Sequence, residues 1–187
     1  AFLKTLKNTL ISKKKHFCGS DRVSEASSNF KSDIVINVQG DEPFVKLTSI
    51  KKIINFFKDK QNINIPVVSL IYETNETEII NDGNCVKVVT DKNNFAMYFS
   101  RSKIPFLRNI DKSFGFYIHV GVYGFLSQSI IHFSSLKPSK LEKIEMLECI
   151  RFIENGQKIK MIRIDNPTIG IDTPNDLIEA KKYLDSI

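Results

Sequence analysis

Apolar residues recur along this chain in two periods, and the change from one to the other sets out its elements. Ile50, Ile53, Ile54 and Phe57 stand at i, i+3, i+4 and i+7, which predicts a helix over 47–59 with Thr48 or Ser49 as its cap. Leu141, Ile144, Leu147, Ile150 and Ile153 predict a helix over 140–154, with Gly156 at its end. Phe2, Leu3, Leu6 and Leu10 mark a helical stripe over 2–11, and Pro174 opens a last helix over 174–184. Short apolar runs predict strands at 33–38, 66–72 and 159–164. The stretches 85–90 and 95–99 read as paired strands joined by the polar turn Asp91-Lys92-Asn93-Asn94. After a polar stretch at 107–116, residues 117–125 read as a strand broken by Gly121 and Gly124. Strands alternating with helices predict an α/β fold around a mostly parallel sheet.

One strand runs straight into a turn that carries chemistry. Ile34, Val35, Ile36 and Val38 suit a strand covered on both faces, and Gln39-Gly40-Asp41-Glu42-Pro43 follows at once. Gly40 and Pro43 force a sharp turn, which sets Asp41 and Glu42 at the rim of the sheet. Open α/β sheets hold their ligands just beyond the carboxyl ends of strands. The segment Ile169-Gly170-Ile171-Asp172-Thr173-Pro174 has the same design near the other end of the chain. Asp41 and Asp172 together would suit a hard cation such as Mg²⁺, which takes a few carboxylates plus substrate phosphate oxygens; each would equally serve to cap its own turn. Arg101, at the end of the 95–99 strand, offers a fork for a carboxylate or phosphate, or one half of a surface ion pair. His119 and Tyr123, four apart in a strand, point to the same face, although a lone strand histidine is more often structural. Glu145, Glu148 and Arg151, three apart, read as an exposed ion-pair ladder.

Composition narrows the classes. A chain of 187 residues with 42% hydrophobic content supports a single domain with a proper core. The net charge of +6 fits an anionic substrate. Without arginine runs or zinc-finger spacing, no nucleic-acid role is expected. No apolar run approaches the roughly 18 residues of a membrane span, so no membrane insertion is expected, and no secretory leader is visible. Cys18, Cys85 and Cys149 are odd in number and far apart, which reads as free thiols in a reducing compartment. The chain opens on Ala inside a helical pattern, and the expectation is the remainder of something longer.

Taken in order, several segments resemble one family. They are Gly19-Ser20-Asp21-Arg22; Val35 through Gln39-Gly40-Asp41-Glu42-Pro43; Val86-Lys87-Val88-Val89 with Phe99-Ser100-Arg101 and Ile104-Pro105; His119 through Tyr123; Leu141 through Glu148 to Gly156; and Gly170-Ile171-Asp172-Thr173-Pro174. Together they resemble the 3-deoxy-D-manno-octulosonate (Kdo) cytidylyltransferases, or CMP-Kdo synthetases, over residues 16–184. The resemblance implies a Rossmann-like nucleotidyltransferase fold, one domain over 1–187, with a small protruding dimerisation lobe at about 106–165. It implies an enzyme that couples CTP and Kdo to CMP-Kdo and pyrophosphate for lipopolysaccharide precursors, as a cytoplasmic homodimer. By analogy Asp41 and Asp172 hold Mg²⁺ on the triphosphate. Gln39, Arg101, His119, Tyr123 and Glu148 line the sugar pocket, with Arg101 on the Kdo carboxylate. Ser20, Asp21 and Arg22 lie in a loop facing the substrates.

Three departures accompany the resemblance. The family's opening strand and basic, Gly-containing phosphate loop have no counterpart, a gap of about two β/α units at roughly 30 residues each. Cys149 stands where the family has Gln, and Cys18 where it has a small hydroxyl residue. The first departure keeps open an inactive remnant serving as a dimerising or sugar-binding module. A cytidylyltransferase for another 2-keto sugar acid is the other alternative.

Overall fold

The computed structural model describes residues 9–12, 14–109, 113–165, 170, 171 and 173–185. Its elements follow in the order α1 (Gly19–Ser27), β1 (Ile34–Val38), α2 (Leu47–Lys58), β2 (Val67–Thr74), α3 (Thr77–Asn81), β3 (Lys87–Thr90), β4 (Ala96–Ser100), β5 (Phe116–Leu126), α4 (Ser127–Ser135), α5 (Lys140–Glu145), α6 (Cys149–Glu154), β6 (Ile159–Arg163) and α7 (Pro174–Asp185). Most of the helix at 2–11 lies outside the described residues, and residues 9–12 form no regular element. Thr48 and Ser49 fall inside α2, whose N-cap is Lys46 without a side-chain bond.

The sheet runs β4-β3-β5-β2-β6, with β1 also paired to β5. Among the described residues it is mixed, not mostly parallel: β2 and β6 alone pair in parallel, and the β1–β5, β2–β5, β3–β4 and β3–β5 ladders are antiparallel. The reason is the place of β5. It runs against β1, β2 and β3 and lies between them, so each of its ladders is antiparallel. Both β5 and β6 fall within the 106–165 stretch expected to protrude as a lobe, yet they are sheet strands. β5 is also continuous through Gly121 and Gly124. The pairing with β2 shifts register between Ser69 and Leu70, a bulge that absorbs the extra β5 residues around Gly121.

Alternation along β2 and β5 builds two cores. Val67, Ile71, Tyr123 and Phe125 pack with Ile130 and Phe133 of α4 and Ile150 and Phe152 of α6 on one face. Val68, Leu70, Val120 and Val122 pack with Ile53 of α2 on the other. Gly124 allows α2 to come this close, because a Cβ there would stand 2.3 Å from Ile53 Cγ2. With both faces covered, β2 is buried from Val67 to Tyr72, as a run that is apolar apart from Ser69 requires.

The helix expected over 140–154 is two helices. Met146 takes the left-handed conformation at φ 56°, ψ 43°, ending α5 before α6 begins. Ser139 and Glu142 form a reciprocal capping box at the start of α5. Leu147 and Ile150 stay in the core, while Ile144 is 67% exposed because α5 has turned away. Gly156 adopts φ 73° just past α6, the end its position predicts.

Candidate active site

β2 occupies one edge of β5 from Phe116 to Phe125, so β1 and β3 must share the other. β1 pairs with residues 122–126 and β3 with 117 and 118, leaving a fork at residues 119–121. There the backbone keeps its bonds through the neighbouring loops: His119 N–H donates to Val86 O at 2.8 Å, and Gln39 N–H to Gly121 O at 3.3 Å. The Glu42 carboxylate accepts from Gly121 N–H at 3.0 Å, which folds the Gln39–Glu42 turn back onto the fork. A cavity of about 670 Å³ opens here, lined by Gln39, Asp41, Arg101, His119, Tyr123 and Glu148 among others. Six of the ten residues singled out from sequence thus meet in one place, contributed by β5, the end of β1, the end of β4 and the start of α6.

The floor of the cavity is polar but neutral. His119 Nε2 lies 2.8 Å from Ser69 Oγ, and that hydroxyl reaches Val122 O at 2.9 Å. A hydroxyl has one proton to give; with the carbonyl taking it, Nε2 carries the imidazole hydrogen and Nδ1 is left as an acceptor. Burial pulls the His119 pKa down to about 3, so the ring stays neutral near pH 7. The Tyr123 ring packs against it at 5.2 Å between centroids. Burial also pushes the Tyr123 phenol and the Cys149 thiol up. Cys149 is buried behind the pocket.

One wall is built by α1 and α6. Glu148 accepts from Ser20 N–H at 3.0 Å, from Ser20 Oγ at 2.7 Å and from Gln39 Nε2 at 3.3 Å. A carboxylate facing the first turn of α1 is favoured by the free N–H groups of that helix end. Ser20, Asp21 and Arg22 are therefore the first turn of α1, not a loop, because Glu148 and Arg151 draw the turn inward. Ser20 sits behind Glu148. Asp21 accepts from Arg151 Nη1 at 2.9 Å, and Arg22 is exposed. Arg151 is no part of a surface ladder: it is 1% exposed and donates to Glu142 through Nε at 2.8 Å and Nη2 at 2.5 Å.

The other wall carries Arg101. Its backbone N–H donates to Glu145 Oε2 at 3.0 Å, its Nε to Glu145 O at 2.9 Å and its Nη1 to Gly83 O at 3.0 Å. Ser100 Oγ donates to Glu145 Oε1 at 2.7 Å. Burial pushes the Glu145 carboxyl up, but these bonds outweigh it and hold it below its ordinary value. The break at Met146 leaves the Glu145 carbonyl free to accept from Arg101 Nε. Sequence reading missed Glu145 in this role, since a glutamate on a helix reads as solvated.

Asp172 lies outside the described residues. The segment beside it reaches the site: Ile171 N–H donates to Asp41 O at 2.8 Å. Among the described residues, no group of three or more His, Cys, Asp or Glu side chains is arranged to hold a metal. The oxygen chemistry of Asp41, which lines the cavity, fits Mg²⁺, an ion that takes one or two carboxylates and completes its shell with water and phosphate oxygens.

Comparison with known proteins agrees with this geometry. The cytidylyltransferase family model matches residues 5–159. A 3-deoxy-manno-octulosonate cytidylyltransferase of Christiangramia forsetii is 43% identical over 92% of this chain and 70% of its own length. One of Flavobacterium johnsoniae is 42% identical over 95% of this chain and 73% of its own. Among solved structures, a CMP:2-keto-3-deoxy-manno-octonic acid synthetase complexed with CTP superposes with a TM-score of 0.82 at 30% identity, covering 91% of this chain and 69% of that one.

Proposed function

Since this chain belongs to the cytidylyltransferase family, among its 3-deoxy-manno-octulosonate members, we propose that it transfers the cytidylyl group of CTP to Kdo, giving CMP-Kdo and pyrophosphate. The anomeric hydroxyl oxygen of the sugar bonds to the α-phosphorus and gives up its proton. The α–β bridge breaks, and pyrophosphate leaves with the bonding electrons. Such chemistry rests on orientation and on charge neutralisation, with little covalent work for the protein.

The reading is carried by the convergence around the fork. Arg101 is the cation on the wall, held by two carbonyls and aimed to pair with a sugar carboxylate. His119 offers an acceptor to a sugar hydroxyl without a charge of its own. Glu148 and Gln39, already bonded to one another, take the remaining hydroxyls. Asp41 and Asp172 would hold Mg²⁺ on the triphosphate; when bound, the ion withdraws charge from the attacked phosphorus. A homodimer in a reducing compartment completes the reading, in keeping with three cysteines outside any disulfide and with exposed apolar side chains such as Ile144 and Met146.

The test is pyrophosphate release by the full-length protein from CTP, Kdo and Mg²⁺. Kdo-dependent release is expected, and a marked preference for another 2-keto sugar acid would overturn the substrate assignment. Asp41→Asn should lower Mg²⁺-dependent turnover by about 100-fold, the loss of roughly 3 kcal/mol of charge stabilisation, with the fold intact by circular dichroism. Near-normal turnover would remove Asp41 from the metal site.

A further inference from the structure

A lysine lies buried just behind the cavity wall. Lys87, the first residue of β3, is 0% exposed. Its ammonium donates to two backbone carbonyls, Asp82 O at 2.6 Å and Cys85 O at 2.5 Å. Both belong to the loop from α3 to β3. The Asp82 side chain tightens the same loop by accepting from Asn84 N–H at 2.8 Å. The carbonyl between these anchors, Gly83 O, receives Arg101 Nη1 at 3.0 Å. A connected set of bonds therefore runs from Lys87 through the loop to the guanidinium. Burying an ammonium is costly, and an apolar side chain of the same length would fill the space. Burial pulls the Lys87 pKa below its ordinary value.

Resting on the reading of Arg101 as the group that meets the sugar carboxylate, we infer that Lys87 is a positioning residue for Arg101. Lys87 fixes the 82–85 loop, so that Gly83 O holds the guanidinium from one side. Glu145 O holds it from the other at 2.9 Å. With both carbonyls in place the planar fork keeps one orientation at the cavity that Arg101 lines. Without Lys87 the loop loses two of its anchors, Gly83 O drifts, and the guanidinium turns about the single bond to Glu145 O.

A double-mutant cycle on the full-length enzyme tests this, with Lys87→Met, Arg101→Ala and the pair. Lys87→Met should raise the KM for the sugar acid about tenfold, the range seen when a supporting partner is removed, while the KM for CTP changes less than about twofold. In the Arg101→Ala background the same substitution should add nothing, because the group it positions is gone. Lys87→Arg, which keeps a cation and donors for both carbonyls, should restore most of the sugar affinity. Additive effects, or equal effects on both substrates, would overturn the inference. If Arg101→Ala itself leaves the sugar KM unchanged, the reading of Arg101 fails first, and the two failures are told apart. Should Lys87→Met not fold, Lys87→Gln, a shorter polar side chain that cannot reach both carbonyls, carries the same cycle, and additivity there overturns the proposal as well.

Discussion

The two walls of the cavity are held in place by different means. On the α1–α6 side, side chains bond to side chains: Arg151 joins Glu142 and Asp21, and Ser20 joins Glu148. On the β3–β4 side, side chains largely bond to backbone: Lys87 and Arg101 both donate to carbonyls. The first arrangement is unforgiving of residue type, because removing one partner orphans a buried charge. The second depends on the path of the chain, because carbonyls are everywhere and only the backbone trace brings the right one forward. One wall is thus fragile in stability and the other in geometry.

Arg151→Ala gives the largest expected effect. It strips Glu142, which is 2% exposed, of its cation and leaves Asp21 unpaired, so a loss of about 3–5 kcal/mol is expected in urea denaturation. A loss under about 1 kcal/mol would erase the contrast between the walls. Ser20→Ala comes next. It removes one bond to the Glu148 carboxylate while the Ser20 N–H remains, and should cost about 1.5 kcal/mol, with weaker sugar binding by calorimetry.

At neutral pH the smallest effect belongs to the floor between the walls, whose contribution appears only on acidification. The His119 pKa is about 3 when folded against 6.5 for the free side chain, so between these values the unfolded chain binds the extra proton. Stability therefore falls as pH drops from 6.5 towards 3 and is insensitive to this group above 6.5. His119→Gln should flatten that slope in denaturation midpoints taken across the window. An unchanged slope would show that the ring is not buried as a neutral base.

Much of the fold is legible in the pattern of residues. The periodicity of 47–59, the apolar run of 66–72 and the Asp91–Asn94 turn each specify their elements, because the backbone follows local burial and local turn chemistry. The break at Met146 is hidden from periodicity, since Leu141 to Ile153 keep helical spacing across it. Only the capping of α5 and the docking of α6 into the core require the left-handed residue. The direction of β5 is equally hidden, because an apolar strand reads the same whichever way its neighbours run.

For the site, sequence alone determined which chemical groups would be present: a turn with Asp41 after a strand, an arginine closing another, and a histidine and tyrosine sharing a face. These follow from residue type and a spacing of a few positions. Tertiary structure decided what those groups meet. It turned Asp21 towards Arg151, put Ser20 behind Glu148 and buried Lys87 beneath Gly83. Each of these contacts depends on where a distant carbonyl or carboxylate arrives, and charged residues such as Lys87 and Arg151 carry a local pattern that means solvent until the fold surrounds them.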